Sequence, residues 1–364
     1  MKIGILTFHR AQNYGAVLQA FALQRFLTIN GYDVEIIDYR PEYIEKVYKI
    51  FRYDLFRNKN YKEFLASLLT LPIRIIKDYK FKKFNREYFK LSETSVFNDG
   101  IIPKDYNAFI FGSDQIWNTR LTNGFDKVFW GNFETRKGTR KIAFAPSMET
   151  VRLNSNEATI IKTFLENFDN ISVREERLER LLQTLTQKTI TTVLDPTLIL
   201  GDSIFNKMVI EPKTKYRYVL VYDVRSNKDT LLLANNIAKQ LNCKVVEIKA
   251  WITWRIKRKS IQVASPEEFV GLIKNSECVI STSYHCIIFS IIYNRPFYSL
   301  ELNDGFDGRV KDLLTRIDLS DRIVFDKNVN YTEIDYEKTK GKLSLLREKS
   351  ISYIMNSIKM RKDE

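Results

Sequence analysis

The sequence is poor in the residues that most often announce a particular chemistry. Its three cysteines, Cys243, Cys278 and Cys286, are few, odd in number and without metal spacing. They exclude a disulfide framework or zinc site and fit a reducing compartment. There are only two histidines, and no histidine or carboxylate cluster has ligand spacing, so no obligatory metal is expected. The 13 glycines are too sparse for a dinucleotide fingerprint, so no nucleotide cofactor is expected. No apolar run reaches about 18 residues, so no membrane span is expected. The segment Met1 to Thr7 enters a strand pattern with no signal-peptide apolar region. A cytoplasmic protein is the expectation.

What the chain does have is positive charge. Its 58 Lys and Arg exceed its 44 Asp and Glu by 14. Such a balance suggests a polyanionic partner, whether nucleic acid, an anionic membrane surface or a phosphorylated substrate. Between residues 40 and 90, fourteen Lys or Arg stand against six Asp or Glu, interleaved with Tyr and Phe, as in Tyr79-Lys80-Phe81-Lys82-Lys83-Phe84. The pattern is basic and amphipathic, and Pro72 is expected to split it into two helices. It reads either as a solvated hairpin packed on its domain or as a peripheral dock for the inner membrane face. No nucleic-acid motif occurs, so no nucleic acid is expected.

At 364 residues the chain suggests two domains. Apolar strand patterns alternate with helical ones: Lys2 to Phe8, a helix to Gly31, then Val34 to Tyr39, the βαβ signature of a parallel sheet. The polar stretch 202–216 separates a second such set, beginning at Tyr218. The expected organisation is an N-terminal Rossmann-like domain over 1–208 with a basic helical insertion at about 40–90. A C-terminal Rossmann-like domain follows over 209–328, then a helical segment over 329–364. The fold class is α/β, two Rossmann-like domains facing each other across a cleft.

Both histidines follow the carboxyl end of an expected parallel strand. His9 comes directly after the first, and His285 follows Cys278-Val279-Ile280. Ligands of open α/β sheets bind at that edge, and histidine suits proton transfer near neutral pH. A loop residue and a satisfied helix cap are the alternatives.

Four segments, in order, resemble the polysaccharide pyruvyl transferase family. They are Thr7-Phe8-His9 with Asn13 to Ala20; Gly112-Ser113-Asp114-Gln115-Ile116-Trp117-Asn118; Ile171-Ser172-Val173-Arg174-Glu175 followed by Asp195-Pro196-Thr197; and Ser283-Tyr284-His285-Cys286 with Asn294-Arg295-Pro296-Phe297. Arg309-Val310 stands where the family often carries a similar pair. Many members have Arg before the histidine and Gly after it; here these are Tyr284 and Cys286. The resemblance implies a GT-B-like fold with the active site between the domains. It also implies transfer of the enolpyruvyl unit of phosphoenolpyruvate to a sugar diol, giving a cyclic ketal and phosphate. The partners are then phosphoenolpyruvate and a glycan acceptor, free or lipid-linked.

That chemistry assigns expected roles. Arg174 offers a bidentate fork to carboxylate or phosphate; the alternative is an ion pair with Glu175 or Glu176. His285 deprotonates the acceptor hydroxyl, and Asp114 orients the sugar or a histidine, unless it makes only an Asx turn. His9 binds acceptor or phosphate. Gly15 lets a helix N-terminus approach phosphate, and Ser283 adds a hydrogen bond. Asn13, Ser113, Gln115, Tyr284 and Arg295 complete the expected substrate contacts. Trp117 is read as core, and Cys286 as a small packed residue. Two other functions fit the sequence: a glycosyltransferase of the same shape using a nucleotide sugar, and a non-enzymatic polyanion- or membrane-binding protein.

Overall fold

A computed structural model of the chain describes residues 1–98, 100–148, 152–254, 260–301 and 308–359. Residues 360–364, the end of the expected tail, lie outside that range. The N-terminal elements begin with β1 (Lys2–Leu6), α1 (Tyr14–Ile29), β2 (Asp33–Ile36) and β3 (Tyr39–Arg40). Four helices of the insertion follow: α2 (Glu42–Val47), α3 (Tyr53–Arg57), α4 (Tyr61–Leu69) and α5 (Leu71–Tyr88). Then come β4 (Val96–Phe97), β5 (Ala108–Phe111), β6 (Arg140–Ala143), α6 (Ser155–Leu165), β7 (Asn170–Val173), α7 (Glu176–Gln183), β8 (Ile190–Thr192), α8 (Pro196–Leu200) and α9 (Asp202–Phe205). Strands β2-β1-β5-β6-β7-β8 form one six-stranded parallel sheet.

The second unit contains β9 (Tyr218–Asp223), α10 (Lys228–Gln240), β10 (Lys244–Lys249), α11 (Pro266–Lys274), β11 (Cys278–Ser281), α12 (Tyr284–Ile292), β12 (Phe297–Leu300), α13 (Gly308–Arg316) and β13 (Ile323–Val324). Its five strands run parallel in the order β10-β9-β11-β12-β13. The fold is therefore α/β, with two Rossmann-like parallel sheets and a long final helix, α14 (Tyr336–Ile358). That helix returns to the first unit. Arg347 Nε donates to the Leu198 carbonyl at 2.9 Å, and Ser350 Oγ accepts from Leu194 N at 2.9 Å. Among the described residues no helix is long and apolar enough to cross a membrane.

Helix α1 joins the two units. It carries apolar side chains on every side, and such a helix must be covered all round. Tyr14 stacks on Phe269 of α11 at 4.3 Å, and its hydroxyl donates to the Ala264 carbonyl. Phe205 packs on Phe21 of α1 and on Phe289 of α12, so apolar contacts run without a break between the sheets.

The insertion holds four helices where two were expected. Pro72 stands at the split between α4 and α5, in the first turn of α5 where its missing N–H costs nothing. Tyr48 and Asn58 supply two further ends, and the Asn60 side chain caps α4. The parallel pairing of β3 with β4 closes the excursion at its base.

Candidate active site

The carboxyl ends of both sheets point at one cleft, the expected ligand edge doubled. After β1 the chain passes through Asn13, whose side chain caps α1 by accepting from Ala16 N. After β5 comes the Gly112 to Gln115 turn. Gly112 has φ +121°, and a Cβ there would stand 2.1 Å from the Phe144 carbonyl oxygen, so only glycine fits. After β11 come Thr282 and Ser283, with His285 in the first turn of α12. A cavity of about 480 Å³ lies between these ends, lined by Asn13, Asp114, Gln115, Ser283, His285 and Arg309, among others. That is room for a small phosphorylated substrate.

Asp195, just past β8, is the hub of the site, and it is fully buried. Its Oδ2 accepts from Arg174 at 2.7 Å and from Ser113 Oγ at 3.2 Å, and lies 3.4 Å from His285 Nε2. Its Oδ1 accepts from Thr197 N and Thr197 Oγ1. Burial pushes this carboxyl up, but His285 and Arg174 outweigh it and hold it well below the usual carboxylate range. A histidine from one unit is thereby oriented by a carboxylate from the other. In the sequence Asp195 stands out only as part of Asp195-Pro196-Thr197, with nothing nearby to mark it as a hub.

Arg174 is 2% exposed and does not line the cavity. Burial disfavours its charge, yet Asp195, Tyr284 and Asp114 more than restore it. Neither expected state, a substrate fork or a pair with Glu175 or Glu176, is what the side chain does. It pairs with Asp195, lies 3.6 Å from Asp114, and packs 4.9 Å from the Tyr284 ring centre. Arg309 and Arg225 line the cavity wall, and the Arg309 guanidinium lies 5.6 Å from the same ring. With its amide oxygen turned toward Arg309, Gln115 accepts from both terminal nitrogens of Arg309, at 2.6 and 2.7 Å. Burial and the neighbouring charge of Arg174 outweigh Glu175 and Asp114 and hold Arg309 below the usual arginine range. Where many family members have Arg before the histidine, Tyr284 instead offers its ring to two arginines.

Other expectations need correction. His9 is 1% exposed, and both ring nitrogens are engaged inside the fold: Nδ1 with the Thr7 carbonyl at 3.2 Å, Nε2 with Asp38 at 3.0 Å. It braces β1 rather than facing substrate. Arg295 lies before β12, at the opposite edge of the sheet, because nine-residue α12 carries the chain about 13 Å away. Its Nε donates to the Tyr293 carbonyl. Gly15 does not make room for phosphate, because His285 occupies that space: a Cβ on Gly15 would stand 2.1 Å from His285 Nδ1. Trp117 is fully buried and stacked on Trp130 at 4.3 Å, and burial pushes the Cys286 thiol up to about 12.

Two parallel α/β sheets thus meet at their strand ends, with a charged site in the cleft between them. A family model for polysaccharide pyruvyl transferases matches residues 13–304, and the chain belongs to that family. It is thereby a transferase of polysaccharide biosynthesis. A comparison with curated proteins finds no match. Among solved structures, the chain is similar to UDP-GlcNAc 2-epimerase from Neisseria meningitidis bound to UDP-GlcNAc: 10% identity, TM-score 0.47, covering 98% of this chain and 94% of that one. It is also similar to UDP-GlcNAc 2-epimerase from Methanocaldococcus jannaschii (14%, 0.46, 95% and 93%). A third is the E. coli heptosyltransferase with ADP (13%, 0.39, 85% and 90%).

Proposed function

We propose that the protein moves the enolpyruvyl unit of phosphoenolpyruvate onto a sugar diol of a cell-surface polysaccharide intermediate. Arg309 receives the donor carboxylate or phosphate from the cavity wall, and Gln115 fixes its fork. His285 takes the proton of an acceptor hydroxyl. Asp195, 3.4 Å from Nε2, orients the imidazole, and Arg174 positions Asp195. The hydroxyl oxygen bonds to C2 of the donor as C3 takes a proton. Phosphate then leaves C2, the second hydroxyl bonds there, and its proton departs. The products are a cyclic ketal and inorganic phosphate. Asp114, beside Arg174 at the cleft, is placed to orient the sugar or steady the cationic centre at C2.

The observation that carries this reading is the His285–Asp195–Arg174 chain beside Arg309, in a cavity sized for a small anion. The donor is a substrate, and the chemistry proposed calls on no cofactor. The acceptor glycan is met at the inner membrane face, where the exposed apolar and basic side chains of residues 40–90 contact anionic lipid. The test is incubation of phosphoenolpyruvate with the lipid-linked and free glycan fractions of the source cells. Glycan-dependent release of inorganic phosphate, absent with His285→Ala, is expected. Release of nucleoside diphosphate from a nucleotide sugar instead would establish the glycosyltransferase reading.

A further inference from the structure

Beside the catalytic cavity, and sharing Asn13, Val47, Tyr48, Val224 and Trp251 with it, lies a second space of about 470 Å³. Its walls carry Lys46, Lys49, Arg52, Arg74 and Lys77 against the single carboxylate Asp54. Two of these cations differ from ordinary surface charge. Lys77 is buried, and its ammonium has one hydrogen bond, to the Ala250 carbonyl of the second unit at 3.1 Å. Among the described residues no carboxylate pairs with it, and burial pushes it down to about 8. Arg74 is half-buried, donates among the described residues only to Thr70 Oγ1, and is held below the usual arginine range by burial and by the charge of Arg52. Arg52 is paired with Asp54 at 2.8 Å. Unpaired cations are costly inside a protein wall, and an anion entering the space supplies what they lack.

The space is also built by both units. Lys80 of α5 pairs with Glu268 of α11 at 2.6 Å, and Lys77 is tied to the loop after β10. These contacts hold the cations in place over the cleft. Tyr48 stands between the two spaces. Its hydroxyl is pushed up to about 12, by burial first and by the charge of Asp114 second. The donor's anionic groups already have Arg309, so a second anion site one compartment away serves the other substrate.

We propose that Arg52, Arg74 and Lys77 form a subsite for a phosphate or diphosphate carried by the acceptor, placing its sugar beside His285. The assignment to the acceptor rests on the reading above; the anion site itself does not. The phosphate-bearing group comes from a prenyl diphosphate or from a nucleoside diphosphate, which present the same chemistry to these three side chains.

The test is a calorimetric titration of full-length protein with inorganic pyrophosphate, with and without saturating phosphoenolpyruvate. It uses wild type, Arg74→Gln, Lys77→Met and Arg309→Gln. Pyrophosphate is expected to bind with phosphoenolpyruvate present, and at least about tenfold more weakly to Arg74→Gln and Lys77→Met, the scale of one lost charge-assisted bond. Tighter binding of farnesyl diphosphate than of pyrophosphate assigns a lipid-borne acceptor, and tighter binding of uridine diphosphate a nucleotide-borne one. Equal affinity for wild type and both insertion variants, no binding, or displacement by phosphoenolpyruvate overturns the proposal. Failure of phosphoenolpyruvate to bind, with the pyrophosphate pattern intact, removes the donor reading and leaves the anion site standing.

Discussion

Gly15 and His285 belong to helices of opposite units, and there is no room for a methyl group between them: a Cβ at position 15 would lie 2.1 Å from His285 Nδ1. The imidazole is thus seated by α1 on one side and by Asp195 on the other. In Gly15→Ala the gain in helix propensity, about 1 kcal/mol, meets a displaced catalytic ring. Transfer is expected to fall on the order of a hundredfold, as for a misplacement of about 1 Å. Phosphoenolpyruvate affinity measured by calorimetry is expected to stay within a few-fold, since Arg309 is untouched. Unchanged turnover would show that His285 is not the base.

Asp195→Asn should act on stability as well as rate. It leaves the buried Arg174 guanidinium without its carboxylate and costs about 3–5 kcal/mol, the range for breaking one partner out of a buried pair. Denaturant titration reads this directly. A loss below about 1 kcal/mol would mean that Asp114 has taken over the pairing.

Acid should destabilise the fold through the same kind of group. Asp38 is pushed up by burial, but hydrogen bonds from His9, Arg10 and Ser95 outweigh it and hold the carboxyl well below its usual value. Asp195 is depressed likewise. Folded values below the unfolded ones mean that this stability is present above about pH 4 and is lost as pH falls further. Denaturation midpoints are expected to drop steadily below pH 4, and Asp38→Asn to flatten that limb while lowering stability at pH 7. An unchanged acid limb in the variant would place the acid sensitivity elsewhere.

Much of this was legible beforehand, and the reasons differ from part to part. Strand and helix alternation is local, so the two sheets and the position of His285 after a strand follow from short-range patterns. His9 misled because its partner, Asp38, is 29 residues away, and nothing near it announces that hydrogen bond. Asp195 was hidden for the same reason: its role appears only when Ser113, Arg174 and His285 converge on it. Arg295 was close to His285 in sequence, but a helix between them sends the two to opposite edges of the sheet. Arg309 is 24 residues beyond His285 in sequence, and only the fold brings it to the Tyr284 ring.

The insertion should bind membranes. Phe51, Phe56, Leu65, Leu69, Ile76 and Tyr79 are exposed on it, with Leu69 at 69%, among Arg57, Lys59, Lys62 and Lys82. Flotation with vesicles containing anionic phospholipid is expected to carry the protein upward. Binding should weaken as salt rises from about 0.1 to 0.5 M and fall in Leu69→Glu. Equal flotation with neutral vesicles, or none with either, would count against a docking role.

The most direct measurement is the titration of wild type and Arg309→Gln with phosphoenolpyruvate and with UDP-GlcNAc. The account predicts that phosphoenolpyruvate binds wild type and is weakened at least about tenfold in the variant. Any heat from UDP-GlcNAc is expected to be unchanged by Arg309→Gln. Saturable binding of the nucleotide sugar, with phosphoenolpyruvate silent, would contradict the account and make the cleft a nucleotide-sugar site.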